Sequence, residues 1–395
     1  MSLTLLLDLD DTLLDTNLEA FVPVYFQDLS QHLANYVDPN TMLRALIAGW
    51  GLMSVNEDST RTLQEIFDSD FYPKLGAARE EVADLIEKFY DDVFPTLAQY
   101  TRLRPEAVPF VDWALSCGYR IAIATDPFFP RKATYHRLRW AGFDPARFEL
   151  VSSFEHFHFT KTYPAYYAEV LGRLGWPEGP VLMVGNDVER DLIPAHRLGL
   201  KTYLVDEDSA SSPGFEAGRG KLADLRPWLE SINLSTLEPS FKSRAAILAI
   251  MASTPAVLRS LSSTLNEADW RKEPTREDWA MNEIVCHLRD TEFEVHQMQL
   301  SLMIEREGAF IPRPESGVWA NEREYLNVDG ETALTEFVSA RIDNLKILKG
   351  LNEEIWTRSA RHAIFGPTDF LEVTSFIADH DRLHVQQAWK TLRSV

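Results

Sequence analysis

Hydrophobic positions along the chain change period twice. Residues 3–7 form an apolar run interrupted by one threonine and closed by Asp8 and Asp10, a pattern that predicts a short, fully buried strand. From about residue 15 to 99 the period turns helical: Val82, Leu85, Ile86, Phe89 and Val93 line one face of a helix over 79–94, and a second helix is expected to start at Thr41 as N-cap. Beyond 100, helices over 105–117, 131–141, 164–174 and 191–198 alternate with strands over 120–124, 148–153, 180–184 and 201–205. Residues 207–221 read as a surface loop, and a short helix over 222–229 follows. The remaining strong signals are four long amphipathic segments, 243–265, 279–304, 331–351 and 374–392.

This order predicts an α/β domain with a Rossmann-like parallel sheet covered on both faces, interrupted by an all-helical insertion, and then an all-α four-helix bundle. The expected boundaries are 1–232 for the first domain, with core 1–14 and 101–232 and insertion 15–100. A linker spans 233–240 and the bundle 241–395. A chain of 395 residues is long enough for this division. The formal charge of −21 splits as −15 before residue 241 and −6 after it, so neither part offers the clustered cations that nucleic acid or an anionic membrane requires. Cys117 and Cys286 are the two cysteines, too few for a disulfide framework. With no basic leader and no apolar stretch near the roughly 18 residues of a membrane span, the expected location is cytoplasmic.

Chemistry concentrates where strands should end. Side chains alternate along an extended backbone, so Asp8 and Asp10 face one spot, and two such carboxylates call for a shared proton or a hard divalent cation such as Mg2+. Thr125, Lys161, and the Asp187 and Asp191 of VGNDVERD follow at later strand ends. Taken singly, Thr125 is an ordinary strand residue, Lys161 a solvated lysine and Asp191 a first-turn helix acid. Together and in this order they resemble the haloacid dehalogenase superfamily of aspartate-nucleophile hydrolases over about residues 1–232, with the insertion as its mobile cap. The resemblance implies Asp8 as nucleophile and Asp10 as general acid and base. It implies Mg2+ on Asp8, the Asp10 carbonyl and Asp187, with Asp191 beside them. Thr125 and Lys161 would bind the phosphoryl group. The implied reaction is hydrolysis of a small phosphorylated metabolite through an aspartyl-phosphate. Asn186 stands where many members have the first acid of this motif, and Asp187 is the preferred ligand of the two.

In the last segment His380 and His384 lie four apart on one helical face, and His287 on the second helix is followed one turn later by Asp290, a candidate supporting partner. His296, nine residues from His287, should face elsewhere at 100° per residue. Three imidazoles from two helices suit a divalent transition metal with an open position. Trp279 before the His287 helix and the tail from 356 to 387 resemble the DinB-like four-helix bundles over about residues 241–395. The resemblance implies a site of His287, His380 and His384 for Zn2+ or Ni2+. It leaves two alternatives to the phosphatase reading: the bundle as principal catalyst, a thiol-dependent transferase or hydrolase, or as a non-catalytic module that forms a homodimer.

Overall fold

The computed structural model describes residues 2–206, 213–275 and 278–394. They form two compact units, Met1–Tyr167 with Glu178–Pro239 and Ala168–Pro177 with Ser240–Val395. Residues 168–177, expected in the first domain, therefore group with the second unit.

The first unit is built on six parallel strands: Thr4–Leu7 (β1), Arg120–Ile123 (β2), Leu150–Val151 (β3), Val181–Gly185 (β4), Lys201–Val205 (β5) and Gly218–Gly220 (β6), in the order β3-β2-β1-β4-β5-β6. β1 lies between β2 and β4, with Leu6 opposite Ala122 on one side and Met183 on the other. Being central, it is covered on both faces, which is why the run from Leu3 to Leu7 does not alternate. All functional strand ends consequently open at the carboxyl edge of one sheet.

β6 falls in the stretch predicted as loop, of which residues 207–212 lie outside the described residues. Its glycines mark close packing instead of a turn. A Cβ at Gly218 would come within 2.4 Å of the Trp228 ring and 2.8 Å of Tyr203, so only glycine lets this edge strand pair with β5.

The insertion holds helices Leu18–His32, Pro39–Ser54, Leu63–Leu75 and Arg79–Lys88, the last running into a π turn, Phe89–Val93, and a 3-10 segment, Phe94–Tyr100. The second of these starts earlier than predicted because Asp38, not Thr41, is its N-cap; the Asp38 carboxylate accepts from the Thr41 amide at 2.9 Å. Entry and exit of the insertion meet as a two-residue antiparallel ribbon, Leu14–Asp15 against Arg102–Leu103.

The second unit contains four long helical segments: Arg244–Ser262; Met281–Thr291 continuing through a π turn, Glu292–His296, into Gln297–Glu305; Gly330–Gly350; and Phe370–Ser394. A three-stranded sheet of Ala309–Ile311, Ser359–His362 and Gly366–Asp369 accompanies them and has too little alternation to be read from sequence. Arg244–Ser262 proves long and apolar enough by composition to cross a membrane, contrary to expectation. Most of that window is buried inside the fold, with Ile247, Ile250, Met251 and Leu258 in the core.

At the centre of these helices Arg341 is fully buried. Its Nε donates to Glu292 Oε1 at 2.8 Å and its Nη2 to Glu292 Oε2 at 2.7 Å, while both terminal nitrogens also pair with Asp381. Burial opposes the Glu292 charge, but Arg341 overcomes it and holds the carboxyl far below its ordinary range. Arg341→Met should lower unfolding free energy by about 3–5 kcal/mol, because two buried carboxylates lose their counterion. Denaturant titration at neutral pH checks this; a loss below about 1 kcal/mol would show that the carboxylates do not depend on Arg341.

Candidate active site and metal centre

In the first unit β1 delivers Asp8 to the sheet edge, where its amide donates to the Val184 carbonyl at 2.9 Å. The residue is 5% exposed. Lys161 reaches it from the loop after β3: Nζ lies 2.5 Å from Asp8 Oδ1 and 2.6 Å from Asp191 Oδ1, so one buried ammonium bridges two carboxylates. Burial works against the Lys161 charge, but Asp191 and Asp8 outweigh it and raise its pKa. Burial, then the neighbouring Asp8 carboxylate, push Asp191 upward. Asp191 is thus more than a helix acid: it is 1% exposed and its Oδ2 accepts from the Asp187 amide at 3.0 Å.

Asp8 Oδ2 accepts from the Thr12 hydroxyl at 3.0 Å. Asp10 Oδ1 accepts from the Thr16 hydroxyl at 2.8 Å, and its Oδ2 is paired with Arg137. Arg137 is fully buried beneath the ring of Phe129, and burial lowers its pKa to about 10, leaving it charged at neutral pH. Thr125 and Asp126 line the same cavity of about 370 Å³ as Asp8, Asp10 and Lys161. Burial raises Asp126, opposed by Arg190 at 3.4 Å.

The two candidate ligands at 186 and 187 are placed differently. Asp187 turns its carboxylate to the amides of Glu189 and Arg190, at 2.9 and 3.1 Å, and caps the turn that follows β4; its side chain is 45% exposed. Asn186 takes the inner position. One atom of its amide lies 3.0 Å from the Asp10 carbonyl oxygen, 3.1 Å from Thr12 Oγ1 and 3.3 Å from Asp8 Oδ2. With nitrogen inward the amide donates to all three. With oxygen inward, the Asn186 oxygen stands 3.0 Å from the Asp10 carbonyl oxygen and 3.3 Å from Asp8 Oδ2, close to the edge of an octahedral shell with bonds of roughly 2.1 Å. These groups fit Mg2+, with Asn186 in the inner position and Asp187 lining the same cavity.

In the second unit His287, His380 and His384 converge, with ligand atoms all within 4.8 Å of one another; among the described residues no other such group of metal-binding side chains occurs. The Nε2 atoms of His287 and His380 are 3.0 Å apart. His384 Nδ1 faces Gln387 Oε1 at 2.8 Å, which fixes the proton there and leaves Nε2 free as a ligand. Trp279 stacks on His384, 5.9 Å between centroids and 6° between planes. The Nδ1 atoms of His287 and His380 are buried and without a hydrogen-bond partner.

Two sequence expectations fail here. Asp290 does not support His287, because its carboxylate is taken by Arg289 at 2.7 Å, Arg323 at 2.6 Å and the Tyr325 hydroxyl at 2.7 Å. His296 does not face away. The π turn at Glu292–His296 widens the helix by one residue per turn and brings its ring to 5.3 Å from His380, while its Nδ1 meets Glu292 Oε2 at 2.9 Å. Arg137 was also legible in principle, since it sits among Thr134, Leu138 and Ala141 on an otherwise apolar stripe.

Residues 3–199 match the family model of haloacid dehalogenase-like hydrolases, and residues 251–388 match that of the DinB superfamily. The chain joins a haloacid dehalogenase-like hydrolase domain to a DinB-superfamily domain. No curated protein matches it. Among solved structures, it is similar to a haloacid dehalogenase-type phosphatase from Thermococcus onnurineus, at 16% identity over 58% of this chain and 98% of that one, with a TM-score of 0.40. A 2-haloacid dehalogenase from Pseudomonas syringae pv. Tomato DC3000 gives 19% over 58% and 99%, with a TM-score of 0.43. YfiT from Bacillus subtilis, a probable metal-dependent hydrolase with a four-helix bundle, gives 14% over 40% and 89%, with a TM-score of 0.36.

In the DinB-superfamily domain burial lowers His287 to about 3 and His384 to about 4, and depresses His380 with them. Protons compete with a metal for imidazole, and ordinary histidines would begin to win below about pH 6.5. Here the neutral form persists well below that value. Co2+ affinity should change by less than about threefold between pH 7.5 and 5.5, followed by visible absorbance, and should vanish in a His287, His380, His384 triple alanine variant. A steep fall in affinity over that range would show that the imidazoles titrate ordinarily.

Proposed function

We propose that the hydrolase domain is a Mg2+-dependent phosphatase of small phosphomonoesters. The observation that carries this reading is the Lys161 bridge, which orients Asp8 Oδ1 while leaving Asp8 beside Asp10, Thr125 and the inner amide of Asn186 in one cavity. The Asp8 carboxylate attacks phosphorus, the ester oxygen leaves, and water then releases phosphate from the aspartyl-phosphate. Asp10 in its acid form gives a proton to the leaving oxygen, and the carboxylate so formed, paired with Arg137, takes a proton from the attacking water. Thr125 and Lys161 hold phosphoryl oxygens. When bound by Asp8, the Asp10 carbonyl and Asn186, Mg2+ would offset negative charge on phosphate and carboxylates. The helical insertion serves as the cap, whose enclosure favours a small metabolite over a polymer.

A second reading concerns the DinB-superfamily domain. Its three converging, neutral imidazoles support a divalent transition metal, Zn2+ or Ni2+, and with it a thiol-dependent transferase or hydrolase activity of its own. The alternative to this second reading is that the domain is a non-catalytic module that forms a homodimer; neither reading includes a nucleic-acid or membrane partner.

Phosphate release from a panel of small phosphomonoesters, with and without Mg2+, tests the first reading. Release should fall to background in Asp8→Asn, with the fold retained, and persist in the triple histidine variant. Undiminished release in Asp8→Asn would overturn it.

A further inference from the structure

A second cavity, of about 110 Å³, lies between the insertion and the core residues Phe128, Pro130, Phe154 and Glu155, and shares no lining residue with the one holding Asp8. Aromatic residues of the insertion line it: Tyr25, Trp50, Phe67, Phe71, Tyr72 and Tyr90. They do not fill it. Trp50 stacks on Phe128 at 5.1 Å and 22°, and Phe67 on Phe71 at 4.6 Å and 27°, so two stacked pairs form walls. Gly49 permits this: a Cβ there would stand 2.5 Å from the Phe67 ring and drive it into the space.

The polar groups restrict what can enter. The hydroxyls of Tyr25 and Tyr90 are 2.7 Å apart and nearly inaccessible, 3% and 4% exposed as residues. Burial raises both, so both carry their protons. Two hydroxyl protons share one contact: one O–H donates to the other oxygen, and the second proton has no acceptor among the described residues. A buried donor without a partner is costly, and a guest bearing an acceptor would remove that cost. The lining carboxylates are already engaged: Asp68 by Arg79 at 3.1 Å, Glu87 by Lys132 at 2.9 Å and Glu155 by the Arg131 amide at 2.8 Å. Among the described residues the lining therefore offers a phosphate ester no free cation.

We propose that this chamber is a binding site, separate from the hydrolytic one, for an uncharged single-ring aromatic molecule carrying a hydrogen-bond acceptor. The volume admits no more than one ring, being about three quarters of the roughly 150 Å³ of a dry cavity that takes benzene, and aromatic walls favour an aromatic guest through offset and edge contacts. The acceptor meets the spare proton of the tyrosine pair. The assignment does not depend on what the Asp8 cavity hydrolyses.

Calorimetric titration of the full chain with acetophenone, and with ethylbenzene as the ring lacking an acceptor, tests it. Acetophenone should bind saturably and about fivefold more tightly than ethylbenzene, the worth of one neutral hydrogen bond. Tyr25→Phe combined with Tyr90→Phe should abolish that preference while keeping ring binding. Ala83→Trp, which fills the chamber, should weaken both probes about tenfold or more. Asp8→Asn and saturating inorganic phosphate should leave both affinities unchanged. No saturable binding to the wild type, a preference that survives the double phenylalanine variant, affinities unmoved by Ala83→Trp, or competition by phosphate would each overturn the proposal.

Discussion

One ammonium group organises the hydrolytic end of the molecule. Asp8 and Asp191 arrive from different strands, and buried carboxylates of like charge would repel or take up protons. Lys161 between them removes that conflict and fixes both at once. The rest of the first domain serves the same end. The sheet order puts β1 between β2 and β4, so the loops carrying Asp8, Thr125 and Asn186 emerge side by side. The buried pair of Arg137 and Asp10 repeats the principle one position over. A site with four acids in its sequence motifs is thereby balanced largely by its own cations.

The second domain uses the same electrostatics for a different purpose. Arg341 holds Glu292 and Asp381 directly behind the histidines, because Asp381 follows His380 in the chain and Glu292 contacts His296. Two carboxylates set against one guanidinium lie behind His287, His380 and His384, whose burial keeps them neutral. A divalent cation among them would meet a field of the right sign.

Much of this was legible in the sequence, for reasons that differ by element. The buried β1 run, the alternation of strands and helices, and the four long bundle segments announce themselves through period, and Asp8, Asp10, Thr125, Lys161 and the three histidines through residue type at strand ends or on one helical face. What failed depended on local geometry that no period encodes. Asp187 and Asn186 are neighbours, and only the backbone turn after β4 decides which faces inward. His296 was turned by a π bulge. Gly218 and Gly220 read as loop because their compactness is a matter of what packs on them. Arg137 was overlooked because a basic residue on an apolar stripe is ordinarily a stem lying along the surface.

The ribbon of Leu14–Asp15 and Arg102–Leu103 carries a consequence for how such a molecule can change. The whole helical insertion leaves the sheet and returns to it at one point, so its length, sequence and contents are invisible to the register of the six strands. The sheet that carries the acids and the helices inserted into it are joined by a seam two residues wide. Through that seam a lineage could exchange one insertion for another and keep the chemistry it already had.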